Sequence, residues 1–297
     1  MDRDFPRILV LGASGRLGAM LRRVWPAGQG LWQARPGPES GSGQGGADWL
    51  RLDPLGQPAA LSAAAARAEA ILCLAGVTPA AAARGADMGD NIALGLAAVR
   101  AGAKGDDGVG VPVLLASSAA VYGAQGGLLS EDAPPAPVSA YGRAKAEMEA
   151  RAADLAAGLG VAVTSLRIGN VAGADVLLGG WRAGFALDRF ADGRTPRRSY
   201  IGPATLARVL GDLAARAVLR RDLPGALNIA APGAVEMGAL LDAAGLAWAP
   251  RPAPAGAIPE VALDVTALAG LVALAPEAGT AQMLVAEWRD LAQNPPT

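Results

Sequence analysis

The first structural unit of this chain is predicted from the segment Ile8-Leu-Val-Leu-Gly-Ala-Ser-Gly-Arg-Leu-Gly18. Its first four residues are all apolar, which is typical of a strand buried on both faces. Three glycines then follow at intervals of three residues. After them Leu17, Met20, Leu21 and Val24 repeat at helical spacing. The stretch therefore predicts a buried strand, a tight glycine turn and an amphipathic helix.

Further along the chain, short continuous apolar runs alternate with helical patterns. The strand-like runs are Ile71–Leu74, Val113–Ala116 and Val161–Leu166, and a second strand is expected near Leu31–Ala34. Alternating strands and helices build βαβ units and a doubly wound parallel sheet. We predict an α/β, Rossmann-type fold with a nucleotide-binding domain at 1–169. A small C-terminal substrate lobe at 170–297 is interleaved with it.

Less regular segments complete the organisation. The Gly/Pro/Ser-rich stretch 35–46 and the Gly/Asp-rich stretch 102–110 are predicted to be loops. After Gly169 the sequence indicates few strands and helices, apart from one helix carrying Leu206, Val209, Leu210 and Leu213. A last helix is expected over 275–291 and is interpreted as core packing, with a subunit contact as the alternative.

Composition excludes several classes of function. The net charge is −1, so the chain lacks the excess of positive charge that is typical of nucleic-acid-binding proteins. It contains no histidine, which excludes Ser-His-Asp triads and the commonest zinc ligands, and we predict no metal site. The single cysteine, Cys73, is interpreted as a buried strand residue. No signal sequence or membrane span is indicated, so we expect a cytoplasmic protein.

The glycine turn is a candidate dinucleotide site. Glycine lets the backbone approach a pyrophosphate, whose charge then meets the helix N-terminus. The expected contacts are Gly12, Ser14, Gly15, Arg16, Leu17 and Gly18. At the end of the second strand Arg35 stands where an acidic residue would accept the ribose of NAD, and with Arg16 it favours NADP over NAD. Asp53, after Leu52, is placed either to reach the adenine or to form a turn before Pro54.

Tyr141-Gly-Arg-Ala-Lys145 is the candidate catalytic motif. A Tyr and a Lys four residues apart share one helix face. A nearby cation is expected to lower the pKa of the phenol from its ordinary value near ~10, which would make it a better base. Ser118, at the end of the preceding strand, could hold a substrate oxygen while hydride moves. The alternative is an ordinary, partly exposed Tyr/Lys pair with no catalytic role.

Taken in order, these motifs resemble the extended short-chain dehydrogenase/reductase family, in its NAD-dependent epimerase/dehydratase branch. The resemblance covers residues 7 to about 173 and continues more faintly beyond them. It is carried by Gly12-x-x-Gly15-x-x-Gly18, Asp53, Leu74-Ala-Gly76, Asn91-Ile92, Ser117-Ser-Ala-Ala-Val-Tyr-Gly123, Tyr141-x-x-x-Lys145, Leu166-Arg-Ile-Gly-Asn170, Arg198-Ser-Tyr-Ile201 and Leu227-Asn-Ile229.

The resemblance implies a role for each matching residue. Tyr141 would be the acid/base, and Lys145 would hold the nicotinamide ribose and lower the pKa of Tyr141. Ser118 would hold the reacting oxygen, with Ser117 beside the substrate in a mainly structural role. Leu74, Ala75 and Gly76 would line the cofactor site. Asn170 and Arg198 match positions that contact nucleotide phosphates in the sugar-nucleotide enzymes; for Arg198 a plain surface charge is the alternative.

The chain departs from the family pattern in a segment that is expected to bind the substrate. After Tyr-Ile many relatives continue with His-Val and an Asp before the helix, whereas this chain has Gly202-Pro-Ala-Thr205. Three functions stay open: an epimerase or dehydratase acting on a sugar or nucleotide sugar, an NADPH-dependent reductase of another carbonyl compound, and a non-catalytic NADP sensor. The resemblance also favours a homodimer through the helices that contain Ile92 and Tyr141, and packing of their apolar faces in the core is the alternative.

Overall fold

The structure is a computed structural model that describes residues 5–37, 48–103, 110–219 and 223–293. Most of the predicted loop at 35–46, and most of the loop at 102–110, lie outside these residues. Within them the strands are β1 (Ile8–Leu11), β2 (Gly30–Ala34), β3 (Trp49–Arg51), β4 (Ala70–Cys73), β5 (Val113–Ser118), β6 (Gly127–Leu129), β7 (Val163–Ile168), β8 (Asn170–Val171), β9 (Ala186–Arg189), β10 (Arg197–Arg198), β11 (Tyr200–Ile201), β12 (Ala226–Ile229), β13 (Val235–Glu236), β14 (Ala249–Pro252) and β15 (Glu260–Leu263).

The α-helices in the same described residues are α1 (Arg16–Val24), α2 (Pro58–Ala65), α3 (Pro79–Ala82), α4 (Asp90–Ala101), α5 (Ala140–Leu159), α6 (Pro203–Val218), α7 (Met237–Ala243), α8 (Thr266–Leu271) and α9 (Ala281–Gln293). Two short 3₁₀ turns span Ala119–Tyr122 and Pro276–Gly279. No helix in the described part of the chain is both long and apolar enough to cross a bilayer.

A seven-stranded parallel sheet forms the centre of the molecule. Its strand order is β12-β7-β5-β4-β1-β2-β3, and every neighbouring pair is parallel. The strand order reverses beside β1, where β2 and β4 flank it. Ligands of doubly wound sheets bind at the carboxyl ends of the strands beside such a reversal. The predicted α/β fold of Rossmann type is confirmed.

Side chains of β1 alternate between two cores because the strand is covered on both faces. Ile8 and Val10 pack with residues of α1 and α6 on one face. Leu9 and Leu11 pack with residues of α2, α4 and α5 on the other. Helix α6, which follows Gly169 in sequence, therefore covers the sheet, and β12 extends its edge.

The C-terminal part contains more regular structure than its sequence pattern indicates. Strand β10 pairs with β13 and β15, and β15 pairs with β6. These strands are two to four residues long, too short to show a period of two. The last predicted helix is shorter than expected, because α9 begins at Ala281 after the 3₁₀ turn. Its Leu284 and Val285 are buried, so the interpretation as core packing agrees with the structure.

Candidate functional site

The glycine turn lies between β1 and α1, and two of its glycines are places where no side chain fits. Gly12 has a φ of +77°, and a Cβ there would lie 2.7 Å from the backbone of Ala75. A Cβ on Gly18 would overlap the carbonyl oxygen of Ala13. Gly15 is the N-cap residue of α1 and provides no side-chain cap for the first amides of the helix. Ser14, Gly15 and Arg16 are exposed there.

Gln33 of β2 fixes the backbone of the turn, although the sequence pattern did not predict it as a site residue. Its Oε1 accepts a hydrogen bond from the amide of Gly12 at 2.8 Å, and its Nε2 donates to the carbonyl of Leu52 at 2.7 Å. Gln33 is 1% exposed; its bond to Leu52 is buried and its bond to Gly12 is partly buried. The signal in the sequence is a single polar residue inside an otherwise apolar strand. Gln33 fixes the backbone of the predicted cofactor residue Leu52 relative to the turn.

The segment after β4 joins the glycine turn to α5. Ala75 contacts Gly12, and a Cβ on Gly76 would lie 3.4 Å from Nζ of Lys145 and 2.5 Å from Oδ1 of Asn91. The buried Asn91 side chain accepts from the amide of Val77 at 3.2 Å and donates to its carbonyl at 3.0 Å. The segment 74–76 is thus held between the glycine turn and α5. The structure brings the predicted cofactor residues Gly12, Ala75, Gly76 and Lys145 to the same edge of the sheet.

Ser118, Tyr141 and Lys145 come together where β5 ends and α5 begins. Ser139 caps α5 by accepting from the amide of Gly142 at 3.0 Å, which sets the start of the helix. The phenol of Tyr141 lies near the Ser118 hydroxyl, which acts to lower its pKa. Nζ of Lys145 lies 5.9 Å from the centre of the Tyr141 ring and donates to the carbonyl of Ala116 at 2.7 Å. The sequence pattern therefore corresponds to a real cluster.

The pKa of Tyr141 moves in the opposite direction to the one expected from the sequence. Burial raises it above its ordinary value, and the nearby Ser118 hydroxyl offsets only part of that rise. Lys145 does not lower it, because its ammonium donates to the carbonyl of Ala116 and lies 5.9 Å from the centre of the ring. Tyr141 is consequently a neutral phenol, and a proton donor, at neutral pH.

Lys145 is only 4% exposed, although it carries a charge. Burial lowers its pKa to about 8, while Cys73 and Glu149 act to raise it. It therefore remains mainly an ammonium ion at neutral pH, close to the point where it loses its proton. Burial also raises the pKa of the Cys73 thiol to about 11, in agreement with the interpretation of Cys73 as a buried strand residue.

The two arginines predicted to bind a 2′-phosphate are both exposed. Arg35 directly follows β2. Arg16 donates from its guanidinium to the carbonyl of Ala174 at 3.1 Å, which connects the glycine turn to the C-terminal part of the chain. Asp53 forms the turn that was one of its two alternatives, since its Oδ1 accepts from the amide of Leu55 at 3.1 Å.

On the substrate side, the predicted residues are partly buried and bonded to the backbone. The Asn170 side chain donates to the carbonyl of Ser199 at 3.3 Å. The Arg198 guanidinium donates to the carbonyls of Arg197 and Ile258 at 2.7 and 3.0 Å, and burial lowers its pKa. Ser117 is buried and donates to Glu149. In the described residues, no cluster of Cys, Asp and Glu is arranged to hold a metal ion.

Comparison with known proteins places these features in a family. The model of the NAD dependent epimerase/dehydratase family matches residues 8–182. Among curated proteins, no sequence matches the chain. Solved structures do match over nearly their full length.

Three of these structures illustrate the likeness. The UDP-Glc/GlcNAc 4-epimerase from Campylobacter jejuni is 18% identical with a TM-score of 0.75, over 96% of this chain and 98% of that one. The UDP-glucose 4-epimerase from Thermus thermophilus, in complex with NAD, is 22% identical with a TM-score of 0.67, over 95% and 99%. An NAD-dependent NDP-hexosamine 5,6-dehydratase involved in tunicamycin biosynthesis is 21% identical with a TM-score of 0.68, over 96% and 98%. Because the family model covers more than half of the chain and the fold agrees throughout, the chain belongs to the NAD-dependent epimerase/dehydratase family of enzymes.

Proposed function

We propose that this enzyme transfers hydride at a carbinol or ketone carbon of a sugar or nucleotide sugar, in an epimerase or dehydratase cycle. The main evidence for this proposal is the cluster of Ser118, Tyr141 and Lys145 at the carboxyl edge of the sheet. It is joined to the glycine turn through Ala75 and Gly76. Family membership supports the same class of reaction.

The side chains of the cluster have separate tasks in this proposal. Ser118 holds the substrate oxygen by hydrogen bonding, and Tyr141 donates its phenolic proton to that oxygen or takes it back. A positioned acid/base of this kind contributes roughly 10²- to 10⁴-fold in rate. The Lys145 ammonium, fixed by the carbonyl of Ala116, supplies positive charge beside the ring and holds the nicotinamide ribose.

The residues of the turn fit a nicotinamide dinucleotide. Side chains are excluded at Gly12 and Gly18, and the exposed N-terminus of α1 presents amides suited to a pyrophosphate. When bound, the nicotinamide accepts and returns a hydride. Family membership supports this class of cofactor. We further propose that Arg35 and Arg16 favour NADP, because a guanidinium matches the oxygens of a 2′-phosphate.

An anionic group on the substrate is proposed to meet Arg198. Its guanidinium is partly buried and is anchored by backbone carbonyls, and burial lowers its pKa. A cation desolvated in this way gains more from a phosphate than an exposed one does. The nucleotide diphosphate of a sugar nucleotide provides such a group, and Asn170 lies on β8, the strand that pairs with Tyr200 and Ile201.

A reductase is the second candidate, and the state of Tyr141 favours it. A phenol that is neutral at neutral pH is ready to protonate a carbonyl oxygen, which is the direction of a reduction. An NADP preference would point the same way, because reductases exchange their cofactor after each turnover. Epimerases and dehydratases regenerate it within the cycle.

The test is native mass spectrometry of the freshly purified protein, with denaturation to identify any released cofactor, followed by turnover assays with UDP-sugars. Retained NAD(H) and interconversion of 4-epimers support the epimerase or dehydratase cycle. A protein without cofactor that binds NADPH and reduces carbonyl compounds supports the reductase. Binding of NADP without turnover of any substrate contradicts both and supports a sensor.

The assembly proposed from the family resemblance is a homodimer through α4 and α5. These helices, together with α2, line a surface cavity of about 600 Å³ that includes Ile92, Leu96 and Arg151. Light scattering coupled to size exclusion distinguishes a dimer from a monomer, and a monomer at all concentrations contradicts the proposal.

A further inference from the structure

Three consecutive residues of β5 each contact a different residue of α5. The Ser118 hydroxyl lies near the phenol of Tyr141, the carbonyl of Ala116 accepts from Lys145, and the hydroxyl of Ser117 donates to Glu149. The three helix residues are spaced four apart, so they lie on one face over two turns. The strand and the helix are therefore fixed in register by three polar contacts, of which the proposed mechanism uses two.

The third contact is anchored on a further strand. Arg167 of β7 donates from Nε to Oε1 and Oε2 of Glu149, at 3.3 and 3.1 Å, and from Nη2 to Oε2 at 2.9 Å. The side chains of this ion pair are only 7% and 10% exposed. Arg167 also donates to the phenol of Tyr122 at 3.0 Å and to the carbonyl of Glu131 at 2.9 Å. Forked pairs of this kind hold their partners in a fixed orientation.

Glu149 lies one helical turn beyond Lys145 and acts to raise the pKa of its ammonium group. The groups that face Lys145 in the described residues are Cys73 of β4, the neutral Asn91 amide of α4, the carbonyl of Ala116 in β5, and Tyr141 and Glu149 of its own helix. The Cys73 thiol, with a pKa raised to about 11, stays neutral where Lys145 titrates. Tyr141 is neutral as well. Cys73 and Glu149 both act to raise the pKa of Lys145. Glu149 is the carboxylate of the two and lies one helical turn from Lys145, and its removal would also leave the buried guanidinium of Arg167 without its partner.

We infer that Glu149 is a positioning residue: it holds β5 and α5 in register through Ser117 and Arg167, and it places a buried carboxylate one helical turn from Lys145. Its carboxylate is bound by Ser117 and Arg167. Its effect on the reaction passes through Lys145 and through the strand end that carries Ser118. The inference rests on the Lys145 role in the proposed function, but the charge of Lys145 is measurable without turnover.

The chain is well suited to that measurement, because its sequence contains only two lysines, Lys104 and Lys145. Protein labelled with ¹³C at the lysine side chains gives two signals whose shifts report protonation, and the variant Lys104→Arg assigns them. In the wild type we expect Lys145 to titrate near pH 8. In Glu149→Gln the midpoint falls by about one unit, the lower end of the shift that a nearby opposite charge produces. An unchanged midpoint in the folded variant overturns the inference.

The matched control is Glu147→Gln, on the same helix. Glu147 is exposed and forms an ion pair with Arg151 at 3.2 Å, so its loss is expected to leave the Lys145 midpoint in place. An equal fall in this control would show a general charge effect and overturn the inference. If Glu149→Gln does not fold, Glu149→Asp replaces it, because the carboxylate is kept but withdrawn by one methylene. The midpoint then falls by less, and a midpoint equal to that of the wild type overturns the inference.

A turnover assay separates this inference from the proposed function. If both hold, the alkaline limb of the kcat profile moves to lower pH together with the NMR midpoint, while wild-type behaviour is kept in Glu147→Gln. If the NMR midpoint moves and the limb does not, Glu149 still controls Lys145. In that case it is the catalytic role of Lys145 that is contradicted.

Discussion

The carboxylate of Glu287, in the C-terminal helix α9, caps the N-terminus of α6 through Thr205. It accepts from the Thr205 amide at 2.8 Å and from the Thr205 hydroxyl at 2.5 Å. A Cβ on Gly202, the N-cap residue, would overlap the same carboxylate. Helix α6 has no side-chain cap at Gly202 and no acidic residue in its first turn. Here an acidic residue 82 positions away in sequence takes the place of a local cap.

Glu287→Ala is expected to destabilise the protein without affecting the candidate site directly. Losing a helix cap costs about 1 kcal/mol, and leaving a partly buried amide without a partner adds a similar amount. Chemical denaturation measures the loss of unfolding free energy. Gln282→Ala, at an exposed position of α9, is the control and should change stability by less than about 0.5 kcal/mol. Equal stability of the two variants would contradict the capping role.

Gly12→Ala is expected to damage the glycine turn more than the backbone conformation alone explains. Gly12 and Gly28 both have positive φ, of +77° and +80°. A Cβ at Gly28 meets nothing within 4 Å, whereas one at Gly12 meets the backbone of Ala75. Gly28→Ala therefore measures the cost of the left-handed conformation, about 1 kcal/mol. Gly12→Ala should lose more stability than this and also bind the cofactor more weakly in a tryptophan fluorescence titration.

Tyr141→Phe is expected to fold normally and to lose about 10²- to 10⁴-fold in kcat, because the phenolic proton is removed while the ring stays in place. The ring lies against Lys145, so the packing should survive. Turnover is measured on the substrate that the wild type accepts, with circular dichroism to verify folding. Full activity in the folded variant would remove Tyr141 from the mechanism.

Lys145→Met is expected to change how stability depends on pH. Folding lowers the lysine pKa from its ordinary 10.5 to about 8, so between these values the unfolded chain binds more protons than the folded one. The unfolding free energy of the wild type should therefore rise with pH in this window, relative to Lys145→Met, by about 3 kcal/mol in total. Below pH 8 both states of the wild type are protonated at Lys145, so the difference between the two proteins should stop changing with pH. A difference that is constant from pH 7 to pH 10.5 would contradict the lowered pKa of Lys145.

Arg35→Asp is expected to reverse the proposed cofactor preference. Losing one charged hydrogen bond to a 2′-phosphate costs about 1.5–3 kcal/mol, so NADPH affinity should fall by roughly 10- to 100-fold while NADH affinity holds or improves. Fluorescence titration of both cofactors measures the change. Arg67→Asp, at an exposed arginine just after α2, controls for net charge. Equal wild-type affinities for NADPH and NADH would contradict the NADP preference itself.

Several features of this protein are readable from local sequence. The run Ile8–Leu11 and the glycines after it give the first strand and turn, since a continuous apolar run and the spacing of glycines depend only on near neighbours. The four-residue spacing of Tyr141 and Lys145 likewise places them on one face of α5. Asn91 and Gln33 could also be singled out from the sequence, because each is a polar residue beside or within an apolar run.

Long-range contacts decide the remainder. The contacts of Glu149 with Arg167 and of Glu287 with Thr205 join residues far apart in sequence, and strands of two residues carry no pattern. The direction of the Tyr141 pKa shift also depends on long-range contacts. Sequence places a lysine beside a tyrosine, which by itself predicts a lowered value. Only the tertiary structure determines that the phenol is buried and that the ammonium binds the carbonyl of Ala116, and desolvation then outweighs the neighbouring charge.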